Sequence, residues 1–479
     1  ATNRACCCGG IQWTSSSEPL LNKVNDVKDK KIAFIGIGVS HNDLIKMFLK
    51  KGLDVTICDK KTYEQMGELA KTFECLGAKL SLGENYLNAI YDVDIIFRTP
   101  GMYFLNEALQ KARDLGITVT SEMEVFFDLA PCKIYGITGT DGKTTTTTIL
   151  TEMLMKSGKT VHKGGNIGRA LLPIIEDIKS DDIAIVELSS FQLISMRKSP
   201  DVAIITNIYP DHLNVHKDMD EYVDAKKNLI LHQNALSKTI LNQDNNIVSE
   251  FSSLVRGKCI KFSRLEKIQN GAYLDADGYL CYSDKGNITK LFHKDLIKIP
   301  GLHNVENYLA AISAVWGEAD KTDIQYVAEN FGGVEHRIEF VRELDGVKYY
   351  NDSIATSPVA VCAGLNAFSQ KLIVIAGGSD KMLDYDMLSE PINKKVKTLI
   401  LTGETADKIE MAVKSYDAYN ENECKIIRVK SMEEAVLTAR KVATNNDIVT
   451  LSPASASFDF YTNFEERGNH YKSLVNNLK

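Results

Sequence analysis

No stretch of about 18 consecutive apolar residues occurs in the 479-residue chain, which excludes a membrane-spanning helix. Nor is there an excess of positive charge, since 56 Lys and Arg stand against 63 Asp and Glu, a net charge of −7. Nucleic acid needs a basic face to meet its phosphates, so that class of partner is set aside. The ten cysteines include no C-x-x-C spacing, and three of them form the run Cys6-Cys7-Cys8. That pattern speaks against zinc and against a disulfide framework, and for a reducing, cytoplasmic setting. The opening ATNRACCCGGIQWTSSSEP has neither periodicity nor the charged start and apolar core of a signal peptide. Residues 1–26 are therefore expected to form a disordered arm. No internal repeat is found.

What is present is ordinary globular composition, 44% hydrophobic and 25% charged, in a chain long enough for about three domains. From Lys31 onward short apolar runs alternate with helical stretches, the sign of parallel βαβ units. KIAFIGIG from Lys31, DVTICD from Asp54 and DVDIIFRTPG near Asp94 form a first series of strands. KIYGITG (Lys133 to Gly139), IAIVELS (Ile183 to Ser189) and VAIITNI (Val202 to Ile208) form a second, which starts near Glu122. The segment from Gln269 to Thr289 alternates in twos and predicts hairpins late in that series. A third series from Val334 holds KLIVIAGG, KTLILTG and DIVTLSP. The expected fold is α/β, three consecutive α/β domains over 27–121, 122–333 and 334–479.

The sharpest motif is GITGTDGKTTTTT, Gly136 to Thr148, which follows a strand and opens a helix. Glycines let backbone amides turn toward phosphate oxygens, and the helix N-terminus adds partial positive charge. Lys143 has the reach for β- and γ-phosphates, and the Thr144 hydroxyl suits Mg²⁺. The spacing departs from G-x-x-x-x-G-K, because the glycines fall at 136, 139 and 142. A hard cation needs further oxygen ligands, and Glu187 ends an apolar strand at the same edge of the sheet. Asp211 and His212 leave the next strand. Lys226, taken by itself, reads as a solvated helix residue.

GIGVSH (Gly36 to His41), with Asp59 ending the next strand, is an incomplete dinucleotide fingerprint lacking its third glycine. Such a loop suits a nucleotide-diphosphate substrate equally well. Asn304 and Asn307 lie one turn apart in GLHNVEN, where they would meet a purine or cap the helix. Arg337 is a candidate phosphate clamp. NDSIATSP (Asn351 to Pro358) and SPASASFDFYTNFEERG (Ser452 to Gly468) are small-residue loops at strand ends.

Together these motifs resemble the Mur ligases, ATP-dependent amide-forming enzymes of peptidoglycan precursor synthesis. GTDGKTTTT, ELSSFQL, TNIYPDHLNVH, YVDAK, GLHNVEN, EHRIE, NDSIATSP, AGGSDK and the late SPASASFDFYTNFEERG occur in the family's order, from Lys31 to the end. ELSSFQL and the late segment look like the D-glutamate-adding branch, and the DNPR-type motif of the diaminopimelate- and lysine-adding branches is missing. The resemblance implies a Rossmann-like first domain for the UDP-sugar, a P-loop ATPase middle domain, and a Rossmann-like last domain for the amino acid. It implies ATP, two Mg²⁺ ions and a lysine carbamylated by CO₂, with UDP-MurNAc-L-Ala and D-glutamate as substrates. It also implies a cytoplasmic monomer.

The resemblance assigns residues as well. Lys143, Glu187, His212 and Lys226 would be catalytic. Thr144, Glu187, His212 and carbamylated Lys226 would hold metal. Gly139, Thr140, Asp141, Gly142, Lys143, Thr144 and Thr145 would bind ATP with Asn304, Asn307, Arg337 and Asp352. Gly38, Val39, Ser40, Asp59, Thr99, Asn166 and His212 would face the UDP-substrate. Thr356, Lys381, Ser457, Phe458 and Phe464 would take D-glutamate. Ile354 stands in NDSIATS where some members of the branch carry a lysine.

Overall fold

Alternation along the strands builds the layers. In β1 (Lys31–Ile35), Ile32 and Phe34 face one apolar cluster while Ala33 and Ile35 face another. Buried on both faces, such a strand is continuously apolar, which is the mark of a parallel sheet covered on both sides. The computed structural model describes residues 28–212, 215–380 and 382–479, apart from the side chains of Val39 and Ser40. The expected arm and Lys381 lie outside the described residues, as do the side chains of Val39 and Ser40.

The described residues form three sheets. The first joins β1, β2 (Asp54–Asp59), β3 (Lys79–Leu82), β4 (Ile95–Arg98) and β5 (Thr118–Thr120) in the order β3-β2-β1-β4-β5, all parallel. Strand order reverses between β1 and β4, so the crevice outside their carboxyl ends is the ligand position expected of such sheets. Helix α1 (Val39–Lys50) starts there, at Gly38.

The second sheet comprises β6 (Lys133–Thr138), β7 (Val161–Gly165), β8 (Ile183–Glu187), β9 (Val202–Ile205), β10 (Lys238–Asn242), β11 (Lys258–Ser263), β12 (Gly271–Leu274), β13 (Tyr279–Asp284) and β14 (Asn287–His293). Its order is β14-β13-β12-β11-β10-β9-β6-β8-β7. It is parallel from β7 through β12 and turns antiparallel at β12–β13, where alternation in twos predicted hairpins. β6 sits between β8 and β9, so chains leaving those two flank whatever leaves β6. The elements that matter for chemistry here are α2 (Glu122–Leu129), α3 (Lys143–Lys156), α4 (Ser190–Leu193), α5 (Met219–Leu231) and α6 (Leu302–Val315). One apolar cluster runs from Ile32 and Phe97 of the first sheet through Met123 and Phe126 of α2 to Ala184 and Val186 of the second.

The third sheet holds β15 (Glu339–Leu344), β16 (Val347–Asn351), β17 (Leu372–Ala376), β18 (Val396–Leu401), β19 (Lys425–Arg428) and β20 (Ile448–Leu451) in the order β15-β16-β20-β17-β18-β19. Only β15–β16 is antiparallel. Leu372, Val374 and Ala376 of β17 face one cluster, and Ile373 and Ile375 face the other. Helices α7 (Pro358–Asn366) and α8 (Phe464–Asn476) belong to this layer. The chain forms two compact units. One runs to Phe292 and takes in Glu306–Ile324, with the first two sheets; the other comprises His293–Val305 and Gln325–Lys479, with the third.

Candidate active site

The loop between β6 and α3 is built where only glycine fits. Gly142 has φ +77°, and a Cβ there would overlap Asn307 Oδ1. A Cβ on Gly139 would overlap Thr206 Oγ1. The residues after β9 brace the loop: Thr206 Oγ1 donates to Asp141 O at 2.6 Å, and Asp141 N donates to Asn207 Oδ1 at 2.8 Å. Thr140 Oγ1 accepts from Tyr209 N at 3.0 Å and meets Tyr222 Oη at the same distance. Lys143 curls back, its Nζ donating to the carbonyls of Gly139 (3.0 Å) and Thr140 (2.7 Å). Thr145 is half-buried on the first turn of α3, at whose N-terminus the amides leave a positive end.

Glu187 closes the other flank. Buried at the end of β8, its carboxylate accepts from Thr144 Oγ1 at 2.8 Å and from Asn166 Nδ2 at 2.9 Å. Asn166, expected to face the UDP-substrate, is thus tied to Glu187 and exposed to solvent. His212 has φ +54°, with a half-exposed side chain whose Nε2 lies 3.3 Å from Asp211 Oδ2. Lys226, read by itself as a solvated residue, is 1% exposed. Its Nζ donates to Gly139 O at 2.8 Å and lies over the Tyr222 ring. Burial, then the positive charge of Lys143, pulls its pKa down to about 7. Neighbouring Lys227 points outward to Asp224 at 2.7 Å, so the two adjacent lysines are distinguished by environment.

The donors fit a hard cation: a threonine hydroxyl and a carboxylate at the mouth of a phosphate loop. Among the described residues no three His, Cys, Asp or Glu side chains gather as a metal cage. Mg²⁺ is commonly held by one or two carboxylates together with substrate phosphates.

At the first sheet Asp59 uses both carboxylate oxygens on backbone, accepting from Ile37 N and Lys61 N at 2.9 Å each. Thr99 stands beside Gly36, where a Cβ would lie 3.3 Å from its Cγ2, and Gly38 is exposed. On α6, Asn307 Oδ1 accepts from Thr146 Oγ1 at 3.2 Å, next to the phosphate loop.

In the second unit, Asn304 Nδ2 donates to Pro300 O at 2.6 Å. Arg337 is exposed, and Asp352 is buried, accepting from Ser452 Oγ (3.0 Å) and Ile338 N (3.2 Å). Burial drives the Asp352 pKa up to about 7. Thr356 is half-buried, Ser457 is buried, Phe458 is exposed, and Phe464 meets His336 edge-on at 6.0 Å. Buried Arg467 pins this loop, donating to Ser353 Oγ and O and to the carbonyls of Ser455 and Ala456.

Sequence reasoning missed Thr206, Asn207 and Tyr222 as the braces of the phosphate loop, and Arg98 as a buried cation. The first three lie inside motifs that were read, TNIYPDHLNVH and EYVDAK; Arg98 carries no local signal.

Residues 137–315 match the Mur ligase middle domain, and residues 336–455 match the Mur ligase glutamate ligase domain. The UDP-N-acetylmuramoylalanine–D-glutamate ligase of Acetivibrio thermocellus is 48% identical over 463 residues, covering 95% of this chain and 99% of its own. The chain belongs to the Mur ligase family. A second relative of this Mur ligase, the UDP-N-acetylmuramoylalanine–D-glutamate ligase of Clostridium acetobutylicum, is 47% identical over 95% of this chain and 98% of its own. The fold is shared with the UDP-N-acetylmuramate–alanine ligase of Thermotoga maritima, at a TM-score of 0.54 and 19% identity over 93% of this chain and 99% of that one. As a Mur ligase the chain is an enzyme, and its fold is α/β as expected, with three sheets among the described residues. No described helix is long and apolar enough to cross a membrane.

Proposed function

We propose that this Mur ligase joins D-glutamate to UDP-N-acetylmuramoyl-L-alanine, driven by ATP, in the cytoplasmic synthesis of peptidoglycan precursors. The observation that carries the reading is identity of 47–48% over 95% of the chain to relatives bearing that name. Residues 27–121 would hold the UDP-sugar, 122–333 ATP and 334–479 the amino acid, in a monomer.

A bare carboxylate is a poor acyl donor. In this reading a carboxylate oxygen of the L-alanyl end attacks the γ-phosphorus and ADP leaves, giving an acyl phosphate. The D-glutamate amine then attacks the carbonyl carbon, inorganic phosphate departs, and the nitrogen loses its proton. Loop amides from Gly139 to Thr145 cradle the phosphates, and Lys143 swings from the carbonyls it now holds to meet their charge. Thr144 and Glu187, with His212, would hold Mg²⁺, which supplies neutralisation of the crowded phosphate oxygens. Lys226, a substantial part of which is free amine near neutrality at a pKa lowered to about 7, is the group that CO₂ would convert to a carbamate. By the family resemblance Asn304, Asn307, Arg337 and Asp352 would bind the nucleotide, and Gly38, Val39, Ser40, Asp59, Thr99 and Asn166 the UDP-sugar. Thr356, Lys381, Ser457, Phe458 and Phe464 are assigned to D-glutamate, whose two carboxylates suit a lysine and hydroxyls.

The test is phosphate release from ATP with UDP-MurNAc-L-Ala and Mg²⁺, comparing D-Glu with L-Glu, L-Ala and L-Lys. Release that depends on D-Glu is expected. Release with another amino acid instead would leave the ligase chemistry and overturn the substrate.

A further inference from the structure

Ser190, His216 and Glu221 have no part in the roles assigned above, yet they form a continuous chain of hydrogen bonds. His216 is 2% exposed; its Nε2 lies 2.8 Å from Ser190 Oγ and its Nδ1 3.2 Å from Glu221 Oε2. An ionised carboxylate only accepts, so Nδ1 carries the proton and the Ser190 hydroxyl donates to Nε2. The other Glu221 oxygen accepts from the hydroxyl of Tyr103, in the loop after β4 of the first sheet. The order Ser–His–Glu is that of a hydrolase triad. Ser190 is itself only 2% exposed, inside the first turn of α4, so no acyl group reaches its oxygen. The chain holds a neighbour in place instead.

That neighbour is Phe191. Its ring stacks on His216 with centroids 5.1 Å apart and planes 5° from parallel, and it meets the His212 ring at 5.1 Å as well. The Phe191 carbonyl accepts from Arg98 Nη2 at 3.1 Å, and the same nitrogen donates to Ser195 Oγ at 2.9 Å. Arg98 ends β4 and its Nη1 donates to Met102 O at 3.0 Å, in the short loop that carries Thr99 and Tyr103. The first sheet therefore grips α4 and the residues just after it twice, at Ser190 through Tyr103, Glu221 and His216, and at Phe191 and Ser195 through Arg98. A shift of the loop from Thr99 to Tyr103 moves the aromatic ring that contacts both histidines.

We propose that His216 and Glu221 are positioning residues: with Tyr103 they seat Phe191 against His212, so that occupancy of the first-sheet crevice by the UDP-sugar sets the orientation of His212. This rests on the ligase reading above. The experiment uses the full chain and the variants Tyr103→Phe, Glu221→Gln, His216→Ala, His216→Gln and the double variant Tyr103→Phe/His216→Ala, with folding checked by thermal unfolding. Loss of such supporting hydrogen bonds is expected to lower kcat about 10- to 100-fold in Glu221→Gln and His216→Ala, leaving the KM for ATP within about threefold. His216→Gln, whose amide reaches the Nε2 position and keeps Ser190, should recover part of that loss. The double variant should be no slower than His216→Ala, since both changes cut one chain.

Two results overturn the proposal. One is kcat within about twofold of wild type in both Tyr103→Phe and Glu221→Gln, well short of the loss expected of supporting hydrogen bonds. The other is losses that multiply in the double variant. The Tyr103 change deletes one hydroxyl, so it reads the relay even where His216→Ala unfolds. Wild-type dependence on D-Glu is measured first. Where another amino acid supports turnover, the substrate reading fails, and the same variants assayed with that amino acid still decide the relay.

Discussion

At the scale of single residues, side chains of the candidate site are held in unusual states. Lys226 is the clearest. An ammonium buried against Tyr222 and facing Lys143 is costly, and its pKa falls to about 7. Near neutrality much of it is free amine, the form that attacks CO₂. ¹³C-labelled bicarbonate should therefore give a carbamate carbon resonance in the wild type that is absent from Lys226→Arg. The same variant should lose about 100-fold or more in kcat, the loss of an electrostatic group at the reacting centre. Lys227→Ala, which removes a pair with Asp224 and a contact over the Phe251 ring, should do neither. Gly142 makes a second case. At φ +77° and against Asn307, an alanine there is strained and displaces the Asn307 amide from the loop between β6 and α3. Gly142→Ala should weaken nucleotide binding at least about tenfold by calorimetric titration, with a stability loss of about 1–3 kcal/mol.

At the scale of elements, α8 shows how one buried cation organises a loop. Arg467 spends four hydrogen bonds on Ser353, Ser455 and Ala456, and burial lowers its pKa to about 10. Lysine cannot reproduce that fork, so Arg467→Lys should cost about 3 kcal/mol in chemical denaturation, with a raised KM for the amino acid. An unchanged denaturation midpoint would show the loop is held by something else. Arg467 also marks where reading from sequence stops. Strands with continuous apolar runs, such as KIAFI, IAIVE, LIVIA and IVTL, were legible because both faces are buried. β7, written VHKGG, and β19, written KIIR, were missed: each lies at a sheet edge, where fewer neighbours demand apolar side chains. β10 and β11 were missed because KTILN and KCIKFS mix polar with apolar residues. The phosphate loop was legible because its glycines and lysine are adjacent in the chain. Its braces Thr206 and Asn207 come from 65 or more residues away, and two of the partners of Arg98, Phe191 and Ser195, from over 90. Spacing along the chain says nothing of such contacts.

At the scale of the whole molecule, each compact unit contains a carboxyl whose pKa burial lifts close to neutrality. In the first unit Glu122 opens α2 and accepts from Leu171 N and Leu172 N at 3.1 and 2.8 Å. Those amides favour the charged form, but burial outweighs them and lifts the pKa from 4.5 to about 7. In the second unit Asp352 rises from 3.8 to about 7 for the same reason, against Ser452, Ile338 N and Arg337. An acid whose pKa is raised by folding binds its proton more tightly in the folded state. Its stabilising contribution is full below the unfolded pKa, falls as pH rises toward about 7, and stays flat above. Other buried groups pull the opposite way: His41, lowered to about 4 by burial, loses stability as pH falls through the same window. The wild-type profile mixes these, so the informative quantity is the stability of wild type minus that of Glu122→Gln or Asp352→Asn. Each difference should fall with rising pH by at most about 1.4 kcal/mol per unit between pH 4.5 and 7, and level off beyond. Denaturant titrations at half-unit pH steps read it directly. A difference that grows with pH would mean the amides and Arg337 win over burial and the carboxylates are charged in the folded chain.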